Sequence, residues 1–278
     1  MSSILTNTSA MTALLTLQKV NKNLDVTQGR ISSGLKITSG KDNAAYFSIS
    51  ETMTGDNSMY KAIDESLTLM VNSVSTARLG AETVQDVAQE FAERVAFAQG
   101  GTAEVRADVQ AELDELVLRI QTTISQSTFN GASLVSSSAT VTVVTGISRS
   151  SAGSVTTTTI TFMQQDLGAI MSNLTAVDLT ASSTTALMEA DLQTAESALD
   201  AAIAAATALG IAERSIETQK EFLGALTDRL DAGVGSMVDA DMEQEAARLQ
   251  SLQVQQQLAT QSLAIANQAP QSILSLFR

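Results

Sequence analysis

With no His and no Cys among its 278 residues, carboxylates are the groups in this chain that could do acid–base or metal chemistry most readily. Without imidazole or thiol the usual zinc, haem and copper ligand sets cannot form, nor can a Ser–His–Asp triad or a thiol nucleophile. Carboxylates alone could still hold Mg²⁺ or Ca²⁺. Asp239, Asp241, Glu243 and Glu245 in VDADMEQEAA are the tempting set. They read instead as the acidic start of a helix, favourable with its macrodipole. Asp42, in SGKDNAA, has no partner base and reads as a loop or cap residue. Gly233 and Gly235 follow no strand, so a phosphate loop is not expected there. The reading is of no enzyme, with no catalytic, cofactor-binding or metal residues. A formal net charge of −14 also argues against nucleic acid and anionic membrane surfaces as partners.

What remains is the chemistry of helix pairing. Hydrophobic residues make up 44% of the chain and aromatics only 3%, so the apolar content is mostly Ala, Leu, Val, Ile and Met. That mixture favours slender, Ala-rich helix contacts over a thick globular core. Ile63, Leu67, Met70, Val74, Ala77, Ala81, Val84, Ala88, Phe91, Val95 and Ala98 step alternately by four and three. The spacing predicts a helix of roughly 50 Å with an intact apolar seam, read as a bundle core. Gly100-Gly101 ends it, and Val105, Val109, Leu113, Leu116, Ile120 and Ile124 line one face of a second helix. The short break between them predicts antiparallel packing. That second helix stops near Phe129-Asn130-Gly131, where Asn-Gly supplies a turn.

From about Ala132 the pattern changes. Thr140–Val144 and Val155–Phe162 are β-branched runs separated by GISRSSAGS, and they predict a small hairpin with a Ser/Thr-rich surface. Helical periodicity returns after about Thr184 with Leu192, Ala195, Leu199, Ala202, Ala206 and Leu209. The fold expected is mainly α: a long antiparallel coiled-coil helical bundle with paired terminal helices and a small β-hairpin insertion. No run of about 18 purely apolar residues predicts a membrane span. The N-terminus has no basic n-region before its apolar residues, so it is not read as a secretory signal peptide.

The two ends are the unusual part. Ala10, Leu14, Leu17, Asn21, Leu24, Gln28, Ile31 and Leu35 again step by four and three, as do Leu249, Leu252, Gln256, Ala259, Leu263 and Ala266. Between Arg248 and Arg278 no residue is charged, and Val254, Leu258 and Ile265 form a second apolar stripe. An exposed helix normally carries charge for solubility. An uncharged helix that is apolar on more than one face is expected to be surrounded by protein. Asn and Gln at seam positions cost stability but specify register and partner number. The arms therefore read as oligomerisation elements.

The same residues carry a family resemblance. GRISSGLKITSGKDNAA (Gly29–Ala45) resembles the N-terminal signature of bacterial flagellins, and SLAIANQAPQSILSLFR (Ser262–Arg278) resembles their C-terminus. FNG at Phe129–Gly131 and DAGVGSMVDADMEQEAARLQSLQVQQQL (Asp231–Leu258) are similar to alphaproteobacterial members. AAYFSIS, with Tyr46-Phe47, departs from the small residues common there. The resemblance implies a subunit of the helical flagellar filament, secreted by the flagellar type III export apparatus into the extracellular flagellum. It implies an inner polymerisation domain of residues 1–40 with 240–278. It also implies a rod of 41–131 with 184–239, and a short insertion of 132–183. Leu14, Leu17, Leu24, Ile31 and Leu35 would then pack with Leu249, Leu252, Leu258 and Leu263, while Asn21, Gln28 and Gln256 set register. The implied partners are copies of the chain itself, the filament cap, hook–filament junction proteins and an export chaperone. The alternative is a hook–filament junction protein of the same superfamily.

Overall fold

A computed structural model describes residues 7–150, 154–182 and 184–276, with side chains through 268. In chain order the elements are α1 (Thr8–Ser33), α2 (Ala44–Ala98), α3 (Ala103–Gln126), β1 (Thr128–Phe129), β2 (Ala132–Ser133), β3 (Thr140–Arg149), β4 (Val155–Met163), α4 (Leu167–Thr175), α5 (Thr185–Val238) and α6 (Met242–Leu276). The chain forms two compact units, residues 1–57 with 229–278 and residues 58–228. Residues 1–6 and 277–278 of the terminal arms, and 151–153 of the stretch separating the two strands, lie outside the described residues.

In the unit of residues 58–228 the seam predicted on α2 is the core. Leu67, Val74, Val84, Phe91 and Val95 are buried, and Ile63 and Met70 are half-buried against them. Val109, Leu113, Leu116 and Ile120 of α3 and Ala195, Ala198, Ala202, Leu209 and Ile216 of α5 complete the same cluster. Small residues let the helix backbones approach closely. The closest approach is at Gly80, where an added Cβ would lie 2.0 Å from Ser127 Oγ and 2.7 Å from its Cβ. The Gly100-Gly101 break works similarly: neither residue has positive φ, and a Cβ at Gly101 would meet Val105 Cγ1 at 2.9 Å. Thr102 then caps α3, its side chain accepting from Val105 N. Asn130 (φ 50°) and Gly131 (φ 78°) form the tight turn between β1 and β2.

The insertion differs from its sequence reading in two ways. β3 runs on through Gly146 to Arg149 because a register irregularity between Val144 and Gly146 absorbs the change and keeps β4 paired antiparallel along its length. A helix, α4, follows the hairpin, capped by Asp166, whose side chain accepts from Ala169 N. Leu167, Ile170 and Leu174 of α4, with Leu134, Val135 and Val143, belong to the same buried cluster as the long helices. The insertion is thus part of the core. By length and composition α5 could cross a membrane, with an 18-residue window of mean hydropathy 1.3. Ala195, Ala198, Ala202, Ala205, Ala206 and Ala212 of α5 are instead packed in that cluster.

In the other unit, α1 ends at Gly34, whose left-handed backbone (φ 75°) lets its N–H donate to Arg30 O. Lys36 N donates to Val238 O (2.7 Å) and Ala240 N to Gly34 O (2.8 Å), clasping the two interhelical connections of this unit together. Asp42 Oδ2 accepts from the backbone N–H and hydroxyl of both Thr38 and Ser39. These bonds favour the charged carboxylate, those from Thr38 most, and hold its pKa below the ordinary value. Asn43 accepts from Ala45 N and Tyr46 N, starting α2.

Two outcomes follow from this packing. Gly80→Ala gains helix propensity but collides with Ser127, so the thermal midpoint followed by circular dichroism falls by an amount equivalent to about 1–3 kcal/mol. Adding Ser127→Gly recovers part of the loss. Because the folded pKa of Asp42 is depressed, its stabilisation of the loop is fully present above the ordinary carboxylate pKa and lost as pH falls through the lowered value. An NMR carboxyl titration of Asp42 places its midpoint below the ordinary value, and Asp42→Asn abolishes that transition.

Candidate functional site

The terminal helices α1 and α6 lie antiparallel, tied at three levels by polar contacts. Asn7 Nδ2 donates to Ala266 O at 2.8 Å. Gln256 Nε2 donates to Asn21 Oδ1 at 2.7 Å. Arg30 Nη1 donates to Glu245 Oε1 at 2.9 Å. Between these ties sits a small apolar cluster of Val20, Leu24 and Leu252, with Leu249 half-buried against it. Thr27 and Ala259 are also buried.

Each tie rests on local sequence. Asn7 is the N-cap of α1, its Oδ1 accepting from Ala10 N, so its amide nitrogen is free to reach α6. Asp241 caps α6 by accepting from Glu243 N and Gln244 N. The acidic run is thereby accounted for: Asp241 caps, and Glu243 and Glu245 stand in the first turn of α6. The Glu245 side chain is only 7% exposed, and its charge is balanced there by Arg30. Removing Arg30 would strand a buried carboxylate, which is far costlier than the pair itself is favourable.

The predicted interface residues fall into two sets. Leu24 and Leu252 are buried, and Leu17, Asn21, Ile31, Leu35, Leu249, Gln256 and Leu263 are half-buried. Leu14, Gln28 and Leu258 are exposed. The face that α1 turns to α6 runs through Ala13, Leu17, Val20, Leu24, Thr27 and Ile31. It shares Leu17, Leu24 and Ile31 with the sequence seam but takes Val20 and Thr27 in place of Asn21 and Gln28. Gln28 is thus exposed in the single chain, off the face that meets α6. A helix with 3.6 residues per turn can turn either neighbour inward, and the smaller, β-branched Val20 and Thr27 pack where a Gln would strand its amide. Asn21 stays at the margin, near enough to meet Gln256.

Sequence reasoning missed Asn7, Val20, Thr27 and the Arg30–Glu245 pair. The opposite charges of the last two, near matching levels of two antiparallel arms, were the available signal. The pairing leaves much apolar surface open. Met11, Leu14, Leu15 and Val26 on α1 are exposed, as are Val254, Leu258 and Ile265 on α6. The latter three form a stripe on a helix that carries no charge after Arg248 within its bounds. Such an arrangement can bind helices. Among the described residues no group of three or more acidic side chains is placed to hold a metal ion.

Comparison with known proteins accords with this geometry. Residues 4–140 match the bacterial flagellin N-terminal helical region, and residues 192–277 match the bacterial flagellin C-terminal helical region. The chain is 39% identical over 282 residues to a flagellin of Brucella melitensis, with all of both chains covered. It is 33% identical over 322 residues to flagellin C of Rhizobium meliloti, again covering all of both. It is 35% identical over 281 residues to a flagellin of Caulobacter vibrioides, covering 100% of this chain and 99% of that one. Among solved structures, a flagellar hook-associated protein of Vibrio parahaemolyticus aligns with a TM-score of 0.50 and 15% identity, covering 67% of this chain and 93% of that chain, a likeness of fold alone. With both terminal regions matched and full-length relatives above 30% identity, the chain belongs to the bacterial flagellin family, whose members are structural filament subunits and not enzymes.

Proposed function

We propose that residues 1–40 with 240–278 are the polymerisation domain through which this chain builds the flagellar filament used for swimming. In this reading 41–131 with 184–239 are its rod and 132–183 its insertion. The observation that supports this best is the two-sided apolar character of α6, which carries no charge after Arg248 within its bounds. One face meets α1, while Val254, Leu258 and Ile265 remain exposed. In a filament, the terminal helices of neighbouring subunits cover Leu258, Leu14 and their companions, and the burial supplies the driving force of assembly. The Asn21–Gln256 bond then fixes the helix register in every copy, while exposed Gln28 faces a neighbour or water.

The same incompleteness fits export. A helix pair with so few buried side chains is weakly held before assembly, which suits passage of the terminal arms through a narrow flagellar type III channel. Membership of the family supports that route. It also supports an export chaperone, the filament cap and the hook–filament junction proteins as further partners. Relatives named as flagellins over the full length favour the filament subunit over a junction protein.

Leu252→Asp places a charge in the α1–α6 contact. Filament growth from seeds, scored by negative-stain microscopy, is abolished, while circular dichroism retains the helical signal and unfolding transition of the unit of residues 58–228. Normal filaments from that variant would refute the assignment. Gln256→Leu leaves the Asn21 amide without its partner, a cost of about 1–3 kcal/mol per subunit. The critical concentration for polymerisation rises by about 5- to 150-fold, from about 1.4 kcal/mol per factor of ten. Asn21→Leu with Gln256→Leu regains much of that affinity.

A further inference from the structure

The hairpin presents two different edges. β3 is tied to the long helices through its backbone: Tyr60 Oη donates to Ile147 O at 2.9 Å, and Gln219 Nε2 donates to Thr145 O at 3.0 Å. Val143 and Thr145 are buried. Phe162 of β4 packs against the core, but among the described residues no helix side chain bonds to the β4 backbone in this way. Among the described residues no strand pairs with its outer edge, and Val155–Thr159, Thr161 and Met163 are exposed. An open edge strand is a template for another strand, and proteins ordinarily blunt it with Lys, Pro or a bulge. VTTTTITFM has no charge, no Pro and no Gly, and the irregularity of this hairpin lies in β3.

We propose that β4 is a self-pairing edge, through which two copies of the chain join antiparallel into a four-stranded sheet of order β3-β4-β4-β3. The occupant is a second copy for two reasons. First, the strand is self-complementary about Thr159: antiparallel pairing centred there sets Thr157 against Thr161, Val155 against Met163 and Thr156 against Phe162. Thr–Thr and aromatic–β-branched neighbours of this kind are favourable cross-strand pairs, and no like charges oppose. Second, the chain carries a net charge of −14, yet residues 132–168 include only Arg149 and Asp166 as charged groups. The hairpin is the near-neutral part of an acidic molecule, where copies approach with little repulsion.

Symmetry decides where the contact operates. Antiparallel pairing of identical strands needs a twofold axis, which subunits joined head-to-tail in one polar filament do not share. The pair therefore forms between separate chains or between separate filaments. A strand of nine residues buries well under the roughly 1,200 Å² of a stable interface, so a single pair is weak. Repeated along two filaments, it gains about 10²–10⁴ in avidity. This rests on the filament reading only for its lateral role, because the pairing itself belongs to the soluble chain.

The test uses the full chain. Filaments of the parent sequence associate side by side and pellet at low speed. Thr159→Lys sets two like charges face to face at the twofold centre, as does Thr159→Glu, and the pelleted fraction of each falls about tenfold. Mixing the two variant filaments in equal amounts restores it. Dispersed parental filaments, unimpaired pelleting of Thr159→Lys, or failure of the mixture would each overturn the proposal. Soluble chains give a second readout independent of filament growth. The parent has no Cys, so Thr159→Cys is a unique thiol at the axis. On mild oxidation it forms disulfide dimers about tenfold faster than Ser197→Cys, an exposed site on α5, as effective concentration requires. Equal rates would also overturn it.

Discussion

A helix uncharged beyond its first two turns, with apolar residues on two sides, is not completed by one partner, and α6 imposes that constraint on the whole molecule. Antiparallel α1 covers the side carrying Leu249, Leu252 and Ala259. The side carrying Val254, Leu258 and Ile265 has no cover in the single chain. Water solvates such a stripe poorly, and no Lys or Glu on α6 beyond Arg248 is present to offset it. A further apolar helix laid on that side would satisfy both at once. Association is therefore built into the chain at the level of residue type.

The two compact units are held by different forces. In residues 58–228 the cluster is buried and continuous, from Leu67 on α2 through Phe91 to Leu209 and Ile216 on α5, with α4 and β3 packed into it. Ala and Val are numerous in it, which keeps the helices near one another around few aromatics such as Phe91. The α1–α6 pair is held instead by three polar ties and a handful of apolar side chains. Apolar burial contributes most of its energy without regard to direction, whereas an amide pair is worth little unless both partners meet. The first kind of contact makes a continuous core. The second chooses one register among several a repeating Leu pattern would allow.

Much of this was legible in the sequence because the heptad-like stepping on α2 and α3 is unbroken, and periodicity survives translation into structure when every seam residue is apolar. Thr140–Val144 and Val155–Phe162 likewise announced strands through β-branching. The shortfalls have physical causes. In α1 the seam mixes Leu with Asn and Gln, so two adjacent registers score alike in period, and packing chose Val20 and Thr27 over Asn21 and Gln28. α4 is too short for a period to emerge, although Asp166 before Leu167, Ile170 and Leu174 carried a cap and a face. The extension of β3 past Gly146 depends on an irregularity that a period of two cannot encode. Arg30 with Glu245, and Asn7 with the carbonyl of Ala266, are contacts across more than 200 residues, visible only once α1 and α6 are laid side by side.

Polar ties at an assembly interface would be wasteful if affinity were the only requirement, since Leu in place of Asn21 and Gln256 would bury more apolar surface. Their use is intelligible when the same helices must be paired correctly many times over. A strongly apolar α1–α6 seam would tolerate slipped pairings, because a Leu that slides one turn meets another Leu. Asn21 and Gln256 make a slipped pair leave two amides unsatisfied, and Arg30 with Glu245 adds a charge penalty of the same kind. Weak but directional contacts within the chain, together with apolar stripes that only neighbours can cover, let the array supply the affinity while each subunit supplies the register.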